Sequence, residues 1–226
     1  MKGWNGKILW IDLNKKETKT VEYPKEWAME YIGGRGLAIR ILWEYNKPGV
    51  DPFSPENLLI FAIGPLTGMP IPSSGKLQVA SKSPLTGGYG DGNIGTLFSV
   101  EMRKSGLDAI VFYGRSEKPV LLNIENDKVS FEDADDLWGM DSWKTEEKLR
   151  KRFGRFSGIV EIGPGGENLV RFATVMSQEG RSGGRPGIGA VMGSKKIKAV
   201  VIKGTKGYDL FDEKNFKIEG AKALKE

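Results

Sequence analysis

Cysteine and histidine are both missing from the 226 residues. Without cysteine the chain holds no disulfide, no zinc site of the usual Cys/His kind and no thiolate-held iron–sulfur cluster. Without histidine a Ser-His-Asp type of triad lacks its general base. Redox chemistry at this chain must therefore come from a cofactor held by other atoms. Long apolar runs are missing too: none approaches the roughly 20 residues of a membrane span. The opening Met1-Lys2-Gly3-Trp4-Asn5 has none of the apolar stretch of a secretory signal. A soluble protein of the cytoplasm is the expectation, with no membrane partner. Charge of one sign is weak, 34 Lys+Arg against 29 Asp+Glu for a net +5. It is spread along the chain, with no arginine-rich block and no stripe of interleaved aromatic and basic residues. That pattern speaks against nucleic acid as a partner and leaves an anionic small molecule as the sharper reading.

Glycine is present in excess, 31 residues gathered at 33–36, 64–75, 87–95, 163–166 and 180–193. Proline, arginine and apolar residues interrupt every cluster, which separates them from a flexible linker. Glycine placed in this way marks backbone at positive φ, or backbone that something else approaches closely. Around the clusters the pattern predicts strands over 6–13 and 18–23 joined by a turn, and a helix from Pro24 to about 32. A second helix is expected over 36–46 and a fully buried strand in the apolar run 58–63. Strand 76–82, a Gly loop, helix 94–105 and strands 107–114, 119–124 and 128–131 follow. Helix 142–153, strands 157–162 and 170–176, a long loop, a short helix at 188–194 and strand 197–203 complete a domain over 1–206. The polar tail 207–226 reads as the start of a further segment, as if the chain were a piece of something longer.

An internal repeat runs through this layout. IFAIGP at 60–65 matches IVEIGP at 159–164, and LDAIVFYG at 107–114 matches IKAVVIKG at 197–204. Either common βα elements coincide, or the domain has pseudo-two-fold symmetry and offers two equivalent Gly loops to a ligand with two equivalent halves. Gly90, Gly92 and Gly95 formally fit a dinucleotide fingerprint, but the preceding strand ends too early for a tight strand-to-helix turn. The segment from Ser73 to Lys76 fails the spacing of a P-loop. Both Gly loops are expected to run into a helix N-terminus, where unpaired N–H groups and the helix dipole suit a phosphate. The second loop adds Arg181 and Arg185, which either clamp phosphate or a planar heterocycle or tie down loop carbonyls. Asp91 is a carboxylate within the first Gly loop. The adjacent pairs Asp135/Asp136 and Glu146/Glu147 read as solvated faces, and the six scattered Trp as packing.

Four stretches carry a family resemblance: PEN at 55–57, SPLTGGYGDGN at 83–93, IGPGGENLV at 162–170 and GRSGGRPGIGAVMGS at 180–194. In this order, across about residues 3–206, they resemble the N-terminal domain of the tungsten-containing aldehyde:ferredoxin oxidoreductases. The segment from Tyr89 to Asn93 looks closest to the formaldehyde-oxidising branch. The resemblance implies an α+β fold of two packed β-sheets with pseudo-two-fold symmetry and peripheral helices. It implies a bis-pterin tungsten cofactor (tungstopterin) seated on this domain, with Mg2+ bridging the pterin phosphates through the backbone carbonyls of Asn93 and Ser182. Pterin and phosphate contacts are implied for Lys76, Ile94, Gly95, Arg181, Gly183, Gly184 and Arg185, and no catalytic residue in this chain. Position 76 is often Arg in the family, so Lys76 keeps the charge without the bidentate fork. The implied full enzyme oxidises aldehydes to carboxylic acids and passes electrons to ferredoxin through a 4Fe-4S cluster in later domains, as a homo-oligomer. The chain alone is then expected to be an inactive fragment. The alternative is a stand-alone binding module for a phosphate-bearing small molecule, without redox activity.

Overall fold

The computed structural model describes residues 2–207 and 209–225; Met1, Tyr208 and Glu226, which the two expected segments include, lie outside them. The described residues form twelve strands and seven helices. The first half runs β1 (Lys7–Asp12), β2 (Glu17–Glu22), α1 (Lys25–Tyr31), α2 (Arg35–Tyr45), β3 (Leu59–Ala62), β4 (Lys76–Lys82), β5 (Tyr89–Gly95), α3 (Leu97–Lys104) and β6 (Ala109–Tyr113). The second runs β7 (Val120–Glu125), β8 (Lys128–Asp133), α4 (Ser142–Phe153), β9 (Gly158–Glu161), α5 (Pro164–Glu167), β10 (Val175–Ser177), β11 (Arg181–Gly183), α6 (Ile188–Ser194) and β12 (Ile197–Lys203). Helix α7 (Glu213–Ala223) ends the described chain, with the Asp212 carboxylate accepting the Asn215 N–H at 3.0 Å.

Two six-stranded sheets result, ordered β2-β1-β6-β3-β4-β5 and β11-β10-β9-β12-β7-β8. Read from opposite ends, they have the same topology. β1 pairs parallel to β6 as β7 does to β12, and every other neighbour in both sheets is antiparallel. The correspondence extends to single hydrogen bonds. Ile63 N–H donates to the Asp108 carbonyl at 2.9 Å, and its repeat mate Ile162 N–H donates to the Lys198 carbonyl at 3.1 Å. The repeat is therefore a pseudo-two-fold architecture, and it takes in the leading hairpins β1-β2 and β7-β8 as well.

Hydrophobic patterning explains the layering. The apolar run of β3 is buried at every residue because helices cover both faces of its sheet. Helices α3 and α6 lie between the sheets, where Phe98, Met102, Ile188, Val191 and Met192 share one core with Leu9, Phe61 and Val79 of one sheet and Val160, Val200 and Ile202 of the other. α6 is buried along its whole length, as expected of a helix apolar all round. α1 and α2 cover the outer face of the first sheet through Ala28, Leu37 and Ile41. α4 covers that of the second through Leu149. The Asn57 of the PEN stretch is fully buried and ties its loop to the sheet, its amide donating to Ser81 Oγ at 2.9 Å and the Pro52 carbonyl at 2.7 Å.

Three expectations need correction. Residues 89–95 are a strand rather than a loop, paired with β4 from Lys76↔Gly95 to Lys82↔Tyr89. The long loop contains the edge strand β11, and β10 runs over Val175–Ser177 where a strand was expected over 170–176, because turns closed by Val170 N–H to the Gly165 carbonyl and Ala173 N–H to the Val170 carbonyl take up residues 168–174. Low strand propensity hides both edges in the sequence, since glycine supplies no side chain to the period-two pattern.

Candidate functional site

The edge strands of the two sheets, β5 and β11, cross each other, and glycine makes the crossing possible. A Cβ on Gly92 would fall 2.0 Å from the Gly184 nitrogen, and one on Gly183 would fall 2.6 Å from Ile94 Cγ1 and 3.2 Å from the Asn93 carbonyl oxygen. The rim above this crossing carries Lys76, Asn93, Arg181, Ser182 and Arg185, all exposed.

Hydrogen-bond parity sets the direction of the β5 backbone. Thr96 N–H donates to the Gly75 carbonyl and Ser83 N–H to the Gly88 carbonyl at the two ends of the β4-β5 hairpin, both near 2.9 Å. Antiparallel alternation then turns 90, 92 and 94 toward β4, and turns the N–H and C=O groups of 91, 93 and 95 to the open edge. Arg181 Nη1 occupies part of that edge, donating to the Gly95 carbonyl at 3.2 Å. The Asn93 carbonyl faces the same edge beside Gly183. Of the two readings of Arg181, tying down a carbonyl is thus realised, with the rest of the guanidinium exposed.

The structure brings together Lys76, Gly95 and Arg181: a Cβ on Gly95 would lie 3.0 Å from Arg181 Nη1 and 3.6 Å from Lys76 Nζ. It brings Asn93 and Ile94 against Gly183. The Ile94 side chain is in the core, so only its backbone is available to the rim. Gly184 is buried at φ +81°, and its carbonyl accepts from the N–H groups of Gly187 and Ile188 at 3.0 and 2.9 Å. Arg185 follows it in the chain, exposed and without a polar contact to the other rim residues.

The expectation of phosphate sites at helix N-termini is corrected. At α3, Leu97 N–H donates to Gln178 Oε1 at 2.9 Å and Phe98 N–H to Thr96 Oγ1 at 3.0 Å. At α6, Gly189 N–H donates to the Ala173 carbonyl at 2.9 Å. The leading amides are spent inside the fold, so any attraction for an anion comes from the rim cations. Lys76, Arg181 and Arg185 have no carboxylate partner among the described residues. Asp91 is paired with Arg35. Among the described residues no group of three or more acidic side chains is placed to hold a metal ion. A cation here would take carbonyl oxygens instead, of which Asn93 offers one.

Sequence reasoning missed two residues that shape the site. Gln178 caps α3 from the β10-β11 turn, and nothing in its neighbourhood announces it. Glu146, expected on a solvated face, is 3% exposed. It accepts from Arg150 Nε at 2.9 Å and from the Glu179 N–H at 2.7 Å. The Glu146/Arg150 spacing of four residues on a helix was the available signal.

Comparison with known proteins supplies the remaining observation. Residues 8–204 match the family of aldehyde ferredoxin oxidoreductase N-terminal domains. The chain is 43% identical over 212 residues to a tungsten-containing aldehyde ferredoxin oxidoreductase of Pyrococcus furiosus, covering 93% of this chain and 35% of the relative. It is 44% identical to the protein of that name from Thermococcus kodakarensis, with the same coverage. Among solved structures it resembles the active site complex BamBC of benzoyl coenzyme A reductase in complex with 1,5-dienoyl-CoA. There the TM-score is 0.88 at 38% identity, over 92% of this chain and 32% of that one. The chain thus spans about a third of the curated relatives it matches. The relatives carry the aldehyde ferredoxin oxidoreductase name, and the resemblance is drawn at that level rather than at the formaldehyde-oxidising branch.

Proposed function

Because the chain belongs to the family of aldehyde ferredoxin oxidoreductase N-terminal domains, we propose that its rim holds the phosphates and rings of a bis-pterin tungsten cofactor. The observation that carries this reading is the set of three unneutralised cations, Lys76, Arg181 and Arg185, around a crossing where glycine leaves no Cβ in the way. An anionic, flat, two-halved ligand suits both the charge and the pseudo-two-fold frame. Arg181 presents a guanidinium to phosphate, Lys76 a point charge, and Arg185 a third cation from the β11 side. The carbonyls of Asn93 and Ser182 would hold a Mg2+ ion accompanying the cofactor, in keeping with the oxygen preference of that ion. Ile94, Gly95, Gly183 and Gly184 contribute close backbone surface.

When bound, such a cofactor supplies the two-electron chemistry of aldehyde oxidation. The chain's own part is to bind and orient it. The complete enzyme is proposed to oxidise aldehydes to carboxylic acids with ferredoxin as acceptor; the words aldehyde and ferredoxin in the names of the relatives support this reading. Since this chain has no cysteine, a 4Fe-4S electron exit must be supplied by other domains.

The test is to purify the chain from cells supplied with tungstate and to quantify tungsten, molybdenum and released pterin. Tungsten with pterin is expected. Pyrophosphate bound without any metal or pterin would favour a plain phosphate-binding module instead. Arg181→Ala is expected to weaken pyrophosphate binding by about tenfold or more, the loss of one charge-assisted contact, in calorimetric titration. Aldehyde-dependent reduction of a viologen dye by the chain alone is expected to be absent, and its appearance would overturn the assignment of the chain as a cofactor platform only.

A further inference from the structure

The β10-β11 hairpin carries Arg181 and Ser182, and its tip is strained. Gln178, Glu179 and Gly180 stand at φ 42°, 58° and 102°. Two successive non-glycine residues in the left-handed region persist only where the surroundings over-determine them. Three hydrogen bonds and one ring contact do so here. Gln178 Oε1 accepts from Leu97 N–H at 2.9 Å, and Ser177 Oγ lies 2.7 Å from Thr96 Oγ1, both on the α3 side. On the other side, Glu179 N–H donates to Glu146 Oε2 at 2.7 Å. The Trp143 ring, one turn earlier on α4, lies so close that a Cβ on Gly180 would be 3.0 Å from it.

Glu146 is itself clamped. Its Oε1 accepts from Arg150 Nε at 2.9 Å and Nη2 at 2.5 Å, and Arg150 Nη1 donates to the Arg155 carbonyl at 2.7 Å. The nearby Glu161 carboxyl, buried on β9, is pushed well above the usual carboxylate range by burial and by the Glu146 charge. Its neutral form is thereby favoured, which leaves the Arg150 charge to Glu146.

We propose that Glu146 and Arg150 of α4 are positioning residues that hold the hairpin tip in its left-handed turn and so fix Arg181 and Ser182 at the rim. The part concerning the bound cofactor rests on the function proposed above; the part concerning the hairpin does not. The Glu179 N–H to carboxylate bond is charge-assisted, and its loss frees a left-handed turn that the non-glycine residues Gln178 and Glu179 do not favour alone.

Hydrogen exchange of the full chain, read by mass spectrometry, tests this. Glu146→Ala is expected to speed exchange over 178–183 by about tenfold while the β1 and β6 segments keep their protection. Glu146→Gln keeps an oxygen for the Glu179 N–H and is expected to restore most of it. Unchanged exchange at 178–183 in Glu146→Ala, or equal acceleration across both sheets, would overturn the proposal. Should Glu146→Ala fail to fold, Arg150→Met carries the same test, with faster exchange at 178–183 expected and no change there counting against it. Calorimetry with inorganic pyrophosphate separates the two readings. About tenfold weaker binding by Glu146→Ala, with Arg181 intact, supports both. No binding by the unaltered chain overturns the phosphate reading, and the exchange result still decides the positioning role.

Discussion

Gly92→Ala is expected to destabilise the protein by about 3 kcal/mol or more, the upper range for forcing an atom into a filled site. The added methyl would fall 2.0 Å from the Gly184 nitrogen and 2.9 Å from the Gly183 carbonyl carbon. Those neighbours are backbone of another strand and do not rotate away as a side-chain end would. The φ of Gly92 is not in the left-handed region, so the cost is a collision between strands rather than local strain. In a chain of this size the change corresponds to a fall in Tm of about 6–12 °C. Gly88→Ala is the matched control on the same hairpin. Its Cβ would meet only Thr86 Oγ1 at 3.8 Å, an ordinary contact, and little loss is expected. Thermal unfolding of the two variants side by side decides the matter. Equal stability would mean that the edges do not cross as described. Pyrophosphate binding by Gly92→Ala at low temperature is expected to fall too, because Asn93 and Gly183 are set by the same crossing.

The second large effect is a dependence of stability on pH that one lysine imposes. Lys195 is fully buried just after α6, with Nζ donating to the carbonyls of Pro55 at 3.0 Å and Gly114 at 3.1 Å, and with no carboxylate partner among the described residues. Burial first, and the Arg115 charge second, lower its pKa from 10.5 to about 7. The unfolded chain therefore binds the proton more tightly than the folded one between these values. Stability must rise with pH across that window and fall as pH drops toward 7, with the full cost of the buried charge present below it. Between pH 7 and pH 10 this single group is expected to add about 3–4 kcal/mol. Lys195→Met removes the titrating group. The expected result is a stability difference between the natural chain and the variant that moves by that amount over the window, in favour of the natural chain at high pH. Denaturant titrations at several pH values measure it. A constant difference would place the Lys195 ammonium in contact with solvent or an anion.

The pseudo-two-fold frame gives both predictions a common setting. Lys195 ties the second half to two carbonyls of the first, and Gly92 lets an edge of the first half cross an edge of the second. Buried charges stand at equivalent places in the two halves. Asp108 accepts from Gly6 N–H at 2.7 Å and Tyr23 Oη at 2.8 Å, while its repeat mate Lys198 donates to the Met140 and Ile162 carbonyls, each at 2.8 Å, and pairs with Glu167. The repeat has kept the backbone path and replaced the sign of the charge within it.

Period and composition were enough for much of this molecule. The apolar run at 58–63 read as a buried strand, because its length suits a strand and no residue in it suits water on either face. The repeated strings at 60–65 and 159–164 disclosed the duplication. The absence of cysteine settled by itself that no thiolate cluster sits in this chain, and the clustered glycines marked where backbones approach one another. The fold then decided what those glycines do. They read as loops because glycine has no side chain to show a strand's alternation, yet 89–95 is a strand whose place is fixed by pairing with β4 and by the crossing at Gly184. The burial of Lys195 and Lys198 was equally beyond sequence reading, and the i,i+4 spacing of Glu146 and Arg150 announced their pairing but not the burial of Glu146. A charged residue in a polar helix or at a strand end defaults to water, and only partners far along the chain, such as the Glu179 amide and the Pro55 carbonyl, make it favourable inside. Local pattern fixes which segments are stiff and apolar, whereas contacts between distant residues decide which polar groups are spent within the fold and which remain at the rim for a ligand.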